Sequence, residues 1–117
     1  MDGISDVTMA TAEYALRGLG QRADVRAHNL ANINTPGFRA MRVDFETSLA
    51  SALGRGDVTR AQAPISSPDP HLPGPNGNTV SPEGEMVGQM KDNLLRSAMV
   101  QSFNFKATAL RTAMGRR

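Results

Sequence analysis

The chain has no cysteine, no tryptophan, one tyrosine and four phenylalanines among 117 residues. Without cysteine it can form no disulfide and carry out no thiol chemistry. That absence assigns no compartment, because exported and cytosolic chains alike can lack the residue. With aromatic anchors so scarce, Leu, Ala and the seven Met are expected to carry most of the packing. No apolar run approaches the roughly 18 residues that a membrane-spanning helix needs. The stretch Met1 to Asp6 is acidic and lacks the basic and apolar regions of a cleaved signal peptide. Any route out of the cytoplasm is therefore expected to use another export system. At 39% hydrophobic and 21% charged, a chain of this length fits one soluble domain at most.

Charge is also modest. The net value is +2, and the excess lies at the end, where Lys106, Arg111, Arg116 and Arg117 follow the last acid, Asp92. Such a tail complements the negative end of a helix dipole and aids solubility. A nucleic-acid binder would show denser Lys and Arg with aromatics for stacking, so no nucleic-acid partner is expected. A search for chemistry finds none. His28 and His71 have no Cys, second His or spaced carboxylate beside them to make a metal set. The hydroxyls lack a base at recognisable spacing, and Gly18 and Gly20 fall inside a helical pattern rather than after a strand. No catalytic, cofactor-binding or metal-binding residue, and no small-molecule substrate, is expected.

What the sequence does contain is helical periodicity at both ends. Met9, Ala12, Leu16, Leu19, Ala23, Arg26, Leu30 and Ile33 alternate in steps of three and four, the seam pattern of helices that supercoil together. Ser5 is the expected N-cap, with Asp6 beside it. Arg26 interrupts the stripe, and Gly18 and Gly20 each cost roughly 1 kcal/mol against Ala. At about 40 Å this helix needs a partner along most of its length. Asp44 is the expected cap of a short helix carrying Phe45, Leu49 and Leu53, which Gly54 is expected to end. Pro64, Pro68, Pro70, Pro73 and Pro75 then punctuate an aperiodic stretch, in which Asn76-Gly77 is a tight-turn dipeptide suited to a small hairpin. In the last segment Ser81 caps and Pro82 takes the first helical position. Met86, Met90, Leu94 and Ala98 form one row, continuing to Phe105, and Leu95, Met99, Phe103 and Leu110 form a second. Two rows make an apolar face wider than one partner helix covers.

The expected fold is therefore mainly α. Two long amphipathic terminal helices pair in a coiled-coil-like manner, with a short middle helix and an irregular Pro/Gly-rich loop between them. The expected divisions of a single domain are 5–34 (helix), 35–53 (turn and short helix), 54–80 (loop) and 81–115 (helix). An apolar seam at each end with little to bury it marks a subunit of an assembly. The packing and assembly residues are Leu16, Leu19, Leu30, Ile33, Met86, Met90, Leu94, Leu95, Met99, Phe103, Phe105 and Leu110.

One local pattern is more specific. Ala31-Asn32-Ile33-Asn34-Thr35-Pro36-Gly37-Phe38-Arg39-Ala40, followed by Val43-Asp44-Phe45, resembles the N-terminal motif of the bacterial flagellar rod and hook proteins. The C-terminal part, through Asn78 and Val80, Glu85-Met86, Asn93 to Arg96 and Phe103 to Lys106, is similar to the end of the proximal-rod members. The middle loop carries no such likeness. On physics alone, Asn32 or Asn34 is expected to take the left-handed conformation that ends a helix, Pro36 forbids its continuation, and Gly37 frees the exit. An ordinary C-cap explains those residues equally well, and the full motif of Ala31, Asn32, Thr35, Pro36, Gly37, Phe38 and Arg39 carries the family reading. The resemblance implies a non-enzymatic rod subunit of the flagellar basal body, transmitting torque in the periplasm and exported by the flagellar type III apparatus without a cleaved signal. The partners it implies are copies of the chain, rod proteins of the FlgC, FlgF and FlgG type, FliE, and the membrane ring protein FliF. The alternatives are another rod component of the FlgC type and, from a different class, a small basic helical nucleic-acid binder.

Overall fold

The first helix, α1, runs Gly3–Ala31 with Asp6 in its first turn, where a carboxylate complements the unpaired amide end. The computed structural model describes residues 3–58 and 63–115. After α1 come β1 (Met41–Val43), α2 (Glu46–Arg55), β2 (Ser66–Pro68) and α3 (Pro82–Gly115). The strands form one antiparallel pair with Met41 opposite Pro68, Arg42 opposite Ser67 and Val43 opposite Ser66. α3 runs back along α1: Glu85 meets Arg26, Asp92 meets Arg22, and Leu95 and Met99 reach the core beside Ala15 and Leu19. The molecule measures 67 × 26 × 15 Å with a radius of gyration of 17.9 Å. A compact chain of this length would have a radius near 13 Å. It is a short rod with a thickened middle.

That thickening holds the core. Tyr14, Ala15, Leu19, Phe45 and Val58 are buried together, with Ala10, Leu49, Leu95 and Met99 packed around them. Phe45 meets Tyr14 edge to face at a centroid distance of 6.4 Å. Two of the few aromatic residues thus make the centre. Met86, Met90 and Met114 are 65%, 62% and 74% exposed, so methionine shares the packing only in part, through Met99, beside the Leu and Ala residues that were expected. Gly18 explains how Phe45 is admitted. A Cβ there would fall 2.9 Å from Phe45 Cβ and closer still to its ring. The glycine that weakens α1 locally is the seat of the largest fully buried side chain.

Several boundaries differ from the sequence reading. The α1 backbone is helical from Gly3, so Ser5 lies inside the helix rather than at its cap, and its side chain is outside the described set. The helix stops at Ala31, short of 34, because tighter three-residue bonds replace the helical ones, Asn32 N to Asn29 O (3.1 Å) and Ile33 N to Leu30 O (3.2 Å). Asp44 does cap α2: its carboxylate accepts from the Thr47 amide (3.2 Å) and hydroxyl (2.9 Å). Phe45 is already in the right-handed helical region. Gly54 does not end α2. Gly56 does, at φ 77°, where its amide and that of Asp57 return to Leu53 and Ala52 in a closed C-terminal motif. The 54–80 stretch is not wholly irregular, since Ser66–Pro68 pairs with β1. The Asn76-Gly77 turn exists, but no strands flank it.

α3 begins as expected, with the Ser81 hydroxyl accepting from the Gly84 amide at 3.1 Å. Its second row, Leu95, Met99, Phe103 and Leu110, is half-buried, whereas none of its described residues is fully buried. The last turn holds no basic residue, and Arg116 and Arg117 lie outside the described residues.

Replacing Gly18 with Ala should displace Phe45 and destabilise the chain by about 1–3 kcal/mol, the usual range for overpacking. The same change at Gly20, where a Cβ meets nothing within 4 Å, should stabilise by about 0.5–1 kcal/mol. Urea denaturation of the two variants reads the difference in sign. The Asp44 carboxyl is held below its ordinary pKa of 3.8, first by the Thr47 amide and then by its hydroxyl. A depressed folded pKa contributes stability above the ordinary value and loses it as pH falls through the folded one. Asp44→Ala should therefore lower stability at neutral pH by about 1 kcal/mol, a typical cap contribution. The gap from the parent should close as pH drops below the ordinary carboxylate range, as melting curves taken across that range would show.

Candidate assembly site

From Asn32 to Phe38 the chain turns twice. Thr35 N donates to Asn32 O at 3.0 Å, and Phe38 N donates to Thr35 O at 3.2 Å. With Pro36 and then Gly37 at φ 73°, the second is a type II turn. Neither Asn32 nor Asn34 takes a left-handed conformation, because no described non-glycine residue has positive φ. Asn32 acts through its side chain instead, donating to His28 O (2.9 Å) and accepting from the Thr35 hydroxyl (3.1 Å).

The turn is held from the other end of the chain. Asn78, 7% exposed, points its amide at Asn32 O (2.9 Å), Ile33 O (3.2 Å) and Thr35 O (2.7 Å). Two hydrogens are thus shared among three carbonyls of the turn, of which Asn32 O and Thr35 O also accept backbone amides. Its oxygen accepts from Val80 N at 2.8 Å. Gly37 N donates to Asn76 O, Thr79 N to Phe38 O, and Ala40 N to the Thr79 hydroxyl. Gly77 (φ 81°) closes this second loop and abuts the first: a Cβ on it would lie 3.3 Å from Gly37 Cα. Two left-handed glycines in contact allow two turns to share one space.

Beneath the turn, α1 supplies an edge for β1. Asn29, 1% exposed, accepts from Met41 N (3.0 Å) and donates to Met41 O (2.8 Å), as a neighbouring strand would. Two helical turns earlier, Arg22 donates through Nε (3.0 Å) and Nη2 (2.8 Å) to Val43 O. Arg22 also pairs with Glu46 at 2.5 Å and Asp92 at 2.9 Å, and its guanidinium stacks 4.7 Å from the Phe45 ring centre. Burial works against its charge, yet the bonds and attraction from Glu46 and Asp92 win, so its pKa rises above the ordinary value. Arg26 continues the ladder to Asp92 (3.0 Å) and Glu85 (3.1 Å), and Glu85 also accepts from Asn29 at 3.0 Å. Gly88 makes room for Arg26, since a Cβ there would strike its guanidinium. The interruption in the apolar stripe is thus the middle of an ion network.

The motif residues divide by exposure. Ala31, Thr35, Pro36, Gly37 and Arg39 face solvent; Asn32, Ile33 and Phe38 are half-buried. Phe38 packs on His28 at 5.6 Å. On α1, Leu19 is fully buried and Leu16 half-buried, while Leu30 is 38% exposed. Leu30 and Ala23 leave the seam because α3 approaches through Arg22 and Arg26, and they line an open groove with Gln89, Asn93 and Arg96. On α3, Leu94 (73%) and Phe105 (76%) join Met86 and Met90 on a bare face. His71 sits against Asp69. Burial opposes the Asp69 charge, but the His71 ring and amide hold its pKa below the ordinary value. Among the described residues no three such side chains converge as a metal set, and no helix is long and apolar enough to cross a membrane. Sequence reasoning missed Arg22, Asn29, Thr79 and Asp92 and the clamping role of Asn78. A polar residue one position before the seam residue Leu30, as Asn29 is, was the available sign.

Comparison with known proteins points to one family. Residues 9–39 match the model of the flagella basal body rod protein family. The chain is 35% identical over 69 residues to flagellar basal body rod protein FlgB of Escherichia coli, an alignment covering 58% of this chain. It spans half the length of that relative. It is 31% identical to FlgB of Salmonella typhimurium, covering 80% of this chain and 82% of the relative. To FlgB of Aeromonas hydrophila it is 27% identical, with 93% of each chain covered.

Gly37→Ala and Gly77→Ala should both destabilise by about 1–2 kcal/mol, the strain of a left-handed L-residue. Gly77→Ala should cost measurably more, because only its Cβ meets backbone. Denaturation midpoints of the pair check the order.

Proposed function

The chain belongs to the FlgB family of flagellar basal body rod proteins, and on that footing we propose that it is a structural subunit of the proximal rod, passing torque from the membrane ring toward the hook. The family's role is structural and its place is the basal body, in association with other basal-body components. In the finer reading the chain leaves the cytoplasm through the flagellar type III apparatus and assembles in the periplasm. It meets copies of itself, rod proteins of the FlgC, FlgF and FlgG type, FliE and FliF. The residues that carry assembly are the exposed motif groups and the bare row of α3.

One observation supports this most. Met86, Met90, Leu94 and Phe105 lie exposed on α3, away from the Leu95 and Met99 row that meets α1. The accessible surface is 7892 Å², against about 6,200 Å² for a compact monomer of this mass. A head-to-tail contact made through such a row generates a ring if it closes and an open helical filament if it does not, and a rod requires the second.

In a strain deleted for the gene, the parent sequence should restore swimming and rods visible by electron microscopy. Met90→Glu with Leu94→Glu should restore neither, while leaving the purified chain's circular dichroism and melting unchanged, because both side chains are already in water. Normal rods with the double variant would defeat the assembly role of this face. Substitutions at His28 and His71 should be tolerated.

A further inference from the structure

The groups that hold the turn at the end of α1 come mostly from residues 76–92. The turn's own bonds are Thr35 N to Asn32 O, Phe38 N to Thr35 O, and the Thr35 hydroxyl to Asn32. These curl the chain but do not fix where it goes next. The direction of exit is set by Asn76 O on Gly37, Asn78 on three carbonyls, Thr79 on Phe38 and Ala40, and Glu85 on Asn29.

We infer that the turn Asn32–Ala40 is a conditional surface, taking its shape only when α3 is seated on α1, with Glu85 the coupling residue and Asn78 the clamp. Glu85 is placed for this role. One carboxylate oxygen takes Arg26 and the other takes Asn29. Through Asp92, Arg26 is tied to Arg22 and so to the helix seam. Asn29 spends its remaining hydrogen and its oxygen on Met41, where the chain leaves the turn. Glu85 therefore senses the pairing of the long helices on one side and orients the exit strand on the other. The consequence is directional. Thr35, Pro36 and Arg39, the exposed groups of the turn, form one defined surface only in a chain whose end helices have already paired. A neighbour that reads this surface is kept from unpaired chains. Such local opening without global unfolding is how cooperative units behave within a fold.

Amide hydrogen exchange by NMR on the full chain tests this. In Glu85→Ala and in Asn78→Ala, protection at Gly37, Ala40 and Met41 should fall by about tenfold or more, the loss expected for a charge-assisted or multiply shared bond. Leu49 and Gly56, whose amides bond within α2, should keep parental protection. Unchanged turn amides, or equal loss at Leu49 and Gly56, would overturn the inference. Should Glu85→Ala lose structure throughout, Glu85→Gln keeps the shape and removes the charge. There a fall of about threefold or more at Met41, with Leu49 unchanged, is expected. Equal behaviour of the two amides in that variant counts against the coupling.

Discussion

The structure turns on one guanidinium. Arg22 reaches β1 through the Val43 carbonyl, α2 through Glu46, α3 through Asp92, and the core through the face of Phe45. Its side chain and that of Asp92 are only 12% and 13% exposed. Desolvating such a pair is costly, and it is tolerated here because the planar fork of arginine fills each direction with an acceptor. Removing one partner of a pair this buried typically costs about 3–5 kcal/mol. Lysine, a point charge on a flexible stem, could not make the same four contacts. Since the apolar core is small, this polar junction is what sets the relative positions of three elements.

From that junction follows the treatment of β1. A three-residue strand with one partner leaves an edge of open backbone groups, which invites pairing with other chains. Here Arg22 and Asn29, seven residues apart on one face of α1, occupy that edge with side chains. The helix thus serves as a third strand, and the sheet cannot extend on that side. The apolar surface left exposed is instead the bare row of α3.

Much of this was readable along the chain. The two terminal helices, the Ser81 and Asp44 caps and the turn at Pro36-Gly37 follow from local physics, because propensity, capping and φ restriction act within a few residues. So did the excess width of the α3 apolar face, which periodicity alone implies. The family likeness rested on the same contiguous motif. The rest was hidden because its causes are distant. Ser66–Pro68 has no strand signal of its own and is a strand only because β1 offers it an edge. Met86, Met90 and Met114 counted as packing by composition, yet the core chose Phe45 and Tyr14, since Gly18 opens a place for a ring.

The sequence by itself therefore determined where α2 and α3 begin, that α1 could not continue past Pro36, and that apolar surface would be left over. Each is decided by a residue and its near neighbours. Only the tertiary structure decided that Asn78 would cap a helix forty-odd positions earlier, that Arg26 would be an ion-pair centre and not a flaw in a seam, and that Gly18 and Gly88 would be seats for Phe45 and Arg26. The physical reason is the same in each case. A buried polar group or a missing side chain acquires meaning from what lies across the interface, and that partner is chosen by packing, not by sequence distance.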